Sequence, residues 1–144
     1  MNVSAESGRR RAREVAFRIA YQADLMGEPY LASWTRAKEE ERLSDDQSQL
    51  VDDVMEALEH RRDDIDGALR SAAEHWEIER LAATDRAVLR AAVGELLQRP
   101  GVPARVVLNE AIDIARRFGS ADSARFVNGV LDRVARALRP GEFS

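Results

Sequence analysis

Apolar residues return every third or fourth position along most of the chain, and no stretch alternates with the period of a strand. A chain so patterned can bury its apolar stripes only helix against helix, which predicts an all-α fold. The pattern is sharpest over Val106–Leu138. There Val107, Leu108, Ala111, Ile112, Ala115 and Phe118 make one stripe, Gly119 suits a left-handed helix end, and Ser120–Asp122 form a joint. Val127, Val130, Leu131, Val134 and Leu138 make the next stripe. On an ideal wheel Asp122, Phe126, Gly129 and Arg133 fall together along its border, where a contact surface is expected.

The same rhythm extends upstream. Arg9–Met26 predicts a helix with Ala12, Val15, Ala16, Ile19, Ala20 and Ala23 inward and Gly27 as its stop, preceded by a frayed arm over Met1–Gly8. Its other side carries Arg10, Arg13, Glu14, Phe17 and Tyr21. Arginines interleaved with aromatics can hold phosphates and stack bases; equally, they can be a solvated helix start beside peripheral core. Pro29 interrupts, and Tyr30–Glu41 follows with Leu31 and Trp34 as anchors. Ser44 and Gln47 have capping-box spacing ahead of a helix burying Leu50, Val51, Val54, Met55 and Leu58, with Asp52, Asp53 and Glu56 toward water. His60–Glu74 continues the pattern through Ile65, Leu69 and Ala72, either joined to that helix or bent from it. The acids Asp63, Asp64 and Asp66 near His60 read as a solvated run, since nothing closes a ligand set, and neither a metal nor a cofactor is expected. His75, beside Trp76, suits a boundary position better than a catalytic base. Thr84 is placed to cap a helix over Asp85–Gln98 that buries Val88, Leu89, Ala92, Val93 and Leu96 and turns Arg86 and Arg90 outward. Pro103 opens the following helix.

Composition limits what these helices can serve. The 144 residues suit one domain, expected over 9–139 with a tail at 140–144, and 44% hydrophobic with 33% charged residues is a globular balance. Cysteine is absent, which removes disulfides, thiolate metal sites and cysteine nucleophiles. Neither a membrane span nor a signal peptide is visible, so the cytoplasm is the expected location. The net charge of −4 conceals an asymmetry: +3 over Met1–Arg13, −8 over Lys38–Asp66 and +2 from Arg105 onward. A polyanion would meet the ends and avoid the middle.

Three blocks carry a resemblance: RRRAREVAFRIAY (Arg9–Tyr21), TDRAVLRAAVGELL (Thr84–Leu97) and VPARVVLNEAIDIARRFGSADSARFVNGVLDRV (Val102–Val134). Within the last, Asn109-Glu110-Ala111, Phe118-Gly119, Asp122-Ser123 and Phe126 to Leu131 form a specific combination. In this order and spacing the chain resembles the NusB family of bacterial transcription antitermination factors; residues 27–74 match it in pattern but not in motif. The resemblance implies about seven helices in two small packed bundles. It also implies a non-enzymatic function: binding the boxA sequence of nascent RNA together with NusE, a ribosomal small-subunit protein, and joining RNA polymerase with other Nus factors on ribosomal RNA operons.

By the same resemblance Arg9, Arg10, Arg11, Arg13, Tyr21, Arg90 and Asn128 are expected on RNA. Tyr21, Asp85, Arg86, Asp122, Phe126 and Arg133 are expected on the protein partner, with Phe126 as anchor. Two other readings use the same residues. One is the NusB-like recognition module of a ribosomal RNA methyltransferase; with no strand-rich cofactor domain or glycine-rich loop in the 144 residues, it would be that enzyme's fragment. The other is a helical scaffold that binds protein alone. A homodimer masking the arginine and Phe126 surfaces is a further state left open.

Overall fold

The helical rhythm is realised in a computed structural model that describes residues 3–73 and 76–143, with side chains from Gly8 onward. Among the described residues there are seven α-helices: α1 Val3–Met26, α2 Tyr30–Glu41, α3 Asp45–His60, α4 Arg62–Ala72, α5 Ala83–Gln98, α6 Ala104–Phe118 and α7 Ser123–Leu138. Short 3₁₀ turns cover Ile78–Arg80 and Pro140–Glu142. His75, expected at a boundary position, lies outside the described residues.

Helix α5 organises the rest. It packs against α1 and α3 on one flank and against α4, α6 and α7 on the other, so the two expected bundles share it as a central rod. Its sequence supports that position. Ala87, Val88, Leu89, Ala92, Val93 and Leu96 are all buried, and the turns between them carry side chains that are buried too, among them Arg90 and Glu95. A helix enclosed on every side belongs to the core rather than to the surface.

The helix ends follow local chemistry. Ser44 Oγ accepts from the Gln47 amide at 3.2 Å while Gln47 Oε1 accepts from the Ser44 amide at 2.7 Å, which completes the expected capping box of α3. Gly27 ends α1 at φ 66°, a left-handed conformation suited to glycine. Near His60 the chain breaks: Arg61, at φ −125°, ends α3 and precedes α4.

Four expectations about ends are corrected. Helix α1 starts at Val3, so backbone ahead of Arg9 is helical; Gln47 Nε2 donates to the Gly8 carbonyl at 3.0 Å and ties this turn to α3. The arginines therefore stand beyond the first turn, so the positive end of the helix dipole, which disfavours cations within that turn, costs them little. Thr84 does not cap α5, because the helix begins two residues earlier than expected, at Ala83 with Ala82 in the cap position. Gly119 is extended, at φ −102° and ψ −166°, rather than left-handed. A Cβ there would collide with the Ser123 side chain, so the glycine answers to the close approach of α7. Lastly, residues 140–143 are docked rather than a tail. Glu142 Oε1 accepts from the Ala104 amide at 2.8 Å and caps α6, while the Arg105 and Arg136 guanidinium groups lie 5.1 and 4.9 Å from the Phe143 ring centre.

Candidate RNA and partner interface

The arginine run divides by helical geometry, since neighbouring residues point about 100° apart. Arg9 Nε donates to Asp46 at 3.4 Å, Arg10 Nε to Glu110 at 3.2 Å, and Arg11 Nη2 to the Glu41 carbonyl at 2.8 Å; all three lie toward the surface. Arg13 does not. It is 5% exposed and forks onto Glu95, itself 3% exposed, with nitrogen–oxygen distances of 2.8, 2.9 and 3.1 Å. The physical reason is its spacing: Arg13 shares a face with Ala16, Phe17 and Ala20, all buried. Phe17 is accordingly core rather than outward.

Arg90 is likewise turned inward. Its guanidinium forks onto Asp66 at 3.0 and 3.1 Å and reaches Asp24 at 3.4 Å. Asp66 is thereby a buried counter-charge, held also by Arg62 at 3.2 Å, and not part of a solvated acid run. Arg86 Nε donates to Asp24 at 2.9 Å while Nη1 reaches the Leu81 carbonyl at 3.1 Å and, more distantly, those of Glu79 and Ile78. It fixes the 3₁₀ turn ahead of α5 and is only partly exposed, so neither arginine faces outward as the periodicity suggested.

Two surface clefts adjoin the remaining candidate residues. The first lies between α1 and the end of α6, has a volume of about 320 Å³, and is lined by Glu14, Phe17, Arg18, Tyr21, Thr84 and Phe118. Phe17 stands 6.2 Å from Tyr21 and 5.4 Å from Phe118, centre to centre. Arg117 joins the two helices, donating to Glu14 at 2.9 Å and to Asp113 at 3.0 Å. Arg18 forks onto Glu41 at 2.7 and 3.0 Å; that pairing holds the Glu41 carboxyl below the usual glutamate range, and holds the Arg18 guanidinium above its ordinary value. Phe118, predicted to face the core, is 48% exposed, while Ile114 fills the stripe in place of the half-buried Ile112.

The second cleft, about 530 Å³, runs between the 3₁₀ turn and the start of α7, with Trp76, Leu81 and Phe126 as its apolar part and Glu77, Asp85 and Asp122 as its acids. Trp76 is 56% exposed and meets the half-buried Phe126 edge to face at 5.2 Å. Arg80 is occupied by Glu77 at 3.0 Å. Asp85 Oδ1 is buried without a hydrogen-bond partner among the described residues. Asp122 stands at the cap position of α7 yet makes no capping bond; Ser123 Oγ holds the joint instead, accepting from the Ser120 amide at 2.9 Å. The Asp122 carboxylate is left outward.

Asn128 and Arg133 are exposed on α7 but line neither cleft, and Arg133 donates to the Ala72 carbonyl at 3.1 Å. Gly129 needs no close approach within the chain, since a Cβ there would meet nothing within 4 Å. Sequence reasoning missed Phe118, Arg117 and Trp76. The available signals were an aromatic in the last turn of α6, where a stripe outruns its cover, and an aromatic in a non-helical connection.

The two clefts are neighbours. Thr84 and Asp85, adjacent in the first turn of α5, belong one to each, and so do Phe118 and Ser120 across the α6–α7 joint. Comparison with known proteins places the fold and the sequence together. A transcription antitermination protein NusB from Koribacter versatilis is 41% identical over 135 residues, covering 90% of each chain. The solved structure of T. maritima NusB superposes with a TM-score of 0.83 at 31% identity, covering 94% of this chain and 96% of that one. A crystal structure of the antitermination factors NusB and NusE in complex with dsRNA matches with a TM-score of 0.76 at 26% identity, covering 91% and 98%. The NusB family profile matches residues 10–136, and the chain belongs to the NusB family.

Proposed function

We propose that this chain is a transcription antitermination factor of the cytoplasm that binds boxA-type RNA and a NusE-like ribosomal protein together. Holding both, it joins RNA polymerase and other Nus factors on ribosomal RNA operons, and its work is assembly rather than catalysis. The observation that carries this reading is the adjacency of two clefts with opposite chemistry. One is aromatic and bordered by arginines of α1 and α6, which suits a polyanion with exposed bases. The other is aromatic and acidic, which suits a basic protein segment with an apolar anchor. Ligands sharing a border can favour each other's binding, and a related NusB has been crystallised with NusE and RNA at once.

On this reading Arg9, Arg10 and Arg11 hold phosphates, with Tyr21 between the two ligands. Asp85, Asp122 and Phe126 meet the partner. Arg13, Arg86 and Arg90 hold the scaffold that presents them. Fluorescence anisotropy with boxA-type and scrambled RNA, with and without the partner and across a salt series, tests the proposal. The expected result is a boxA preference that strengthens with partner. Equal affinity for both RNAs with partner present would overturn it. Replacing Arg9, Arg10 and Arg11 together by alanine should weaken binding and flatten its salt dependence.

A further inference from the structure

We infer that Phe118 is a stacking platform for one unpaired RNA base, a role resting on the RNA-binding function proposed above. The ring is half exposed at the end of α6, yet it belongs to a contiguous set with Phe17 and Tyr21. Its orientation is held from several directions. Phe17, 6% exposed, packs 5.4 Å from it; the Arg117 guanidinium lies 5.2 Å from the ring centre; and the Gly119–Ser123 approach fixes the backbone that follows. A ring held in place binds with little further loss of side-chain freedom, which is what a stacking surface requires.

The surroundings suit a nucleotide better than an apolar peptide. The hydroxyls of Tyr21 and Thr84 border the cleft without a hydrogen-bond partner among the described residues, so they can meet polar edges of a base. Arg117 stands over the ring and is held there by Glu14 and Asp113, through surface pairs weak enough for a phosphate beside the base to compete for its guanidinium. The cleft is also continuous with the arginine-bearing side of α1 through Glu14, which Arg117 engages. The acidic groove has the opposite charge preference.

The test measures boxA-type RNA binding to the full chain and to Phe118→Ala, Phe118→Leu and Phe118→Trp, each over a salt series, with thermal unfolding as the check on folding. Phe118→Ala should bind roughly five- to 150-fold more weakly with an unchanged salt slope, since stacking releases no counterions. Phe118→Leu, apolar but without a ring, should stay weak, and Phe118→Trp should bind about as well as the original chain. An abasic scan of the RNA on the unaltered protein should show one position whose loss reproduces the alanine effect, and the two losses should not add. Failure of the unaltered chain to bind RNA would overturn the functional reading itself. Binding by the unaltered chain with no loss in Phe118→Ala, full affinity in Phe118→Leu, or no sensitive position in the scan would overturn the stacking role alone. So would a loss of affinity for the NusE-like partner with RNA affinity intact, which would assign the ring to the protein interface.

Discussion

Arg13→Ala separates an arginine that builds the interface from those that form it. The substitution leaves Glu95, 3% exposed, without the three hydrogen bonds that Arg13 donates to its carboxylate. Removing one member of a buried pair costs about 3–5 kcal/mol, because the remaining charge stays desolvated and uncompensated. For a chain of this size each kcal/mol corresponds to roughly 2–4 °C, so the unfolding midpoint should fall by about 6–20 °C. Arg10→Ala breaks only a surface pair worth about 0–1 kcal/mol and should move the midpoint by no more than about 4 °C. Measured at a temperature where both variants are folded, RNA binding should show the reverse ranking: Arg10→Ala lowers the salt slope by about one phosphate contact, while Arg13→Ala leaves it unchanged. The apolar pair Arg13→Met with Glu95→Leu should recover most of the lost stability. A midpoint for Arg13→Ala no lower than that for Arg10→Ala would refute the structural assignment.

Further perturbations address the other elements. Gly129→Ala should stabilise the free protein by about 0.5–1 kcal/mol, because the added methyl meets open space and helical glycine is unfavourable; a lowered midpoint in chemical denaturation would contradict this. The Ala104 amide, and then Arg139, hold the Glu142 carboxyl below the ordinary glutamate value. A depressed folded pKa contributes stability above the unfolded value, lost as pH falls through the folded one, so unfolding curves of the original chain and Glu142→Gln should differ at neutral pH and converge in acid. A difference that does not shrink at all as pH falls from neutral through and below the glutamate range would rule out the carboxylate cap. Phe126→Asp should abolish capture of the NusE-like partner while circular dichroism stays helical, and loss of helicity would place the ring in the core instead.

Much of the fold was legible because helix-forming stripes are local. The capping box at Ser44, the stop at Gly27 and the inward faces of α3 and α7 follow from spacing alone. What spacing hides is the second layer around α5. Arg86 and Arg90 look outward on an isolated wheel, and only the arrival of α1 and α4, bringing Asp24 and Asp66, makes their positions interior. Arg13 is a different case, since its place on the Ala16–Phe17–Ala20 face was readable and was outweighed by its membership of a basic run. The candidate site divides in the same way. Asp122 and Phe126 are border residues by periodicity and by position, whereas Trp76 and Phe118 become surface aromatics only once the connection before α5 and the α6–α7 joint have a shape.

The acidic middle of the chain gains its explanation from the same tertiary contacts. Its carboxylates are largely engaged: Glu41 with Arg11 and Arg18, Asp46 with Arg9, Asp53 with Arg99, Asp66 with Arg62 and Arg90, and Asp52 with the indole of Trp34 at 2.6 Å. The segment therefore works less as a repulsive surface than as a set of counter-charges that position arginines from other helices. At the surface this has a consequence for recognition. A phosphate approaching Arg9, Arg10 or Arg11 replaces a carboxylate rather than water alone, and exposed pairs of this kind are worth about 0–1 kcal/mol. The exchange is therefore inexpensive. Arginines too weakly paired to resist RNA, beside an arginine too strongly paired to leave Glu95, give α1 an exchangeable outer contact surface on a fixed inner frame.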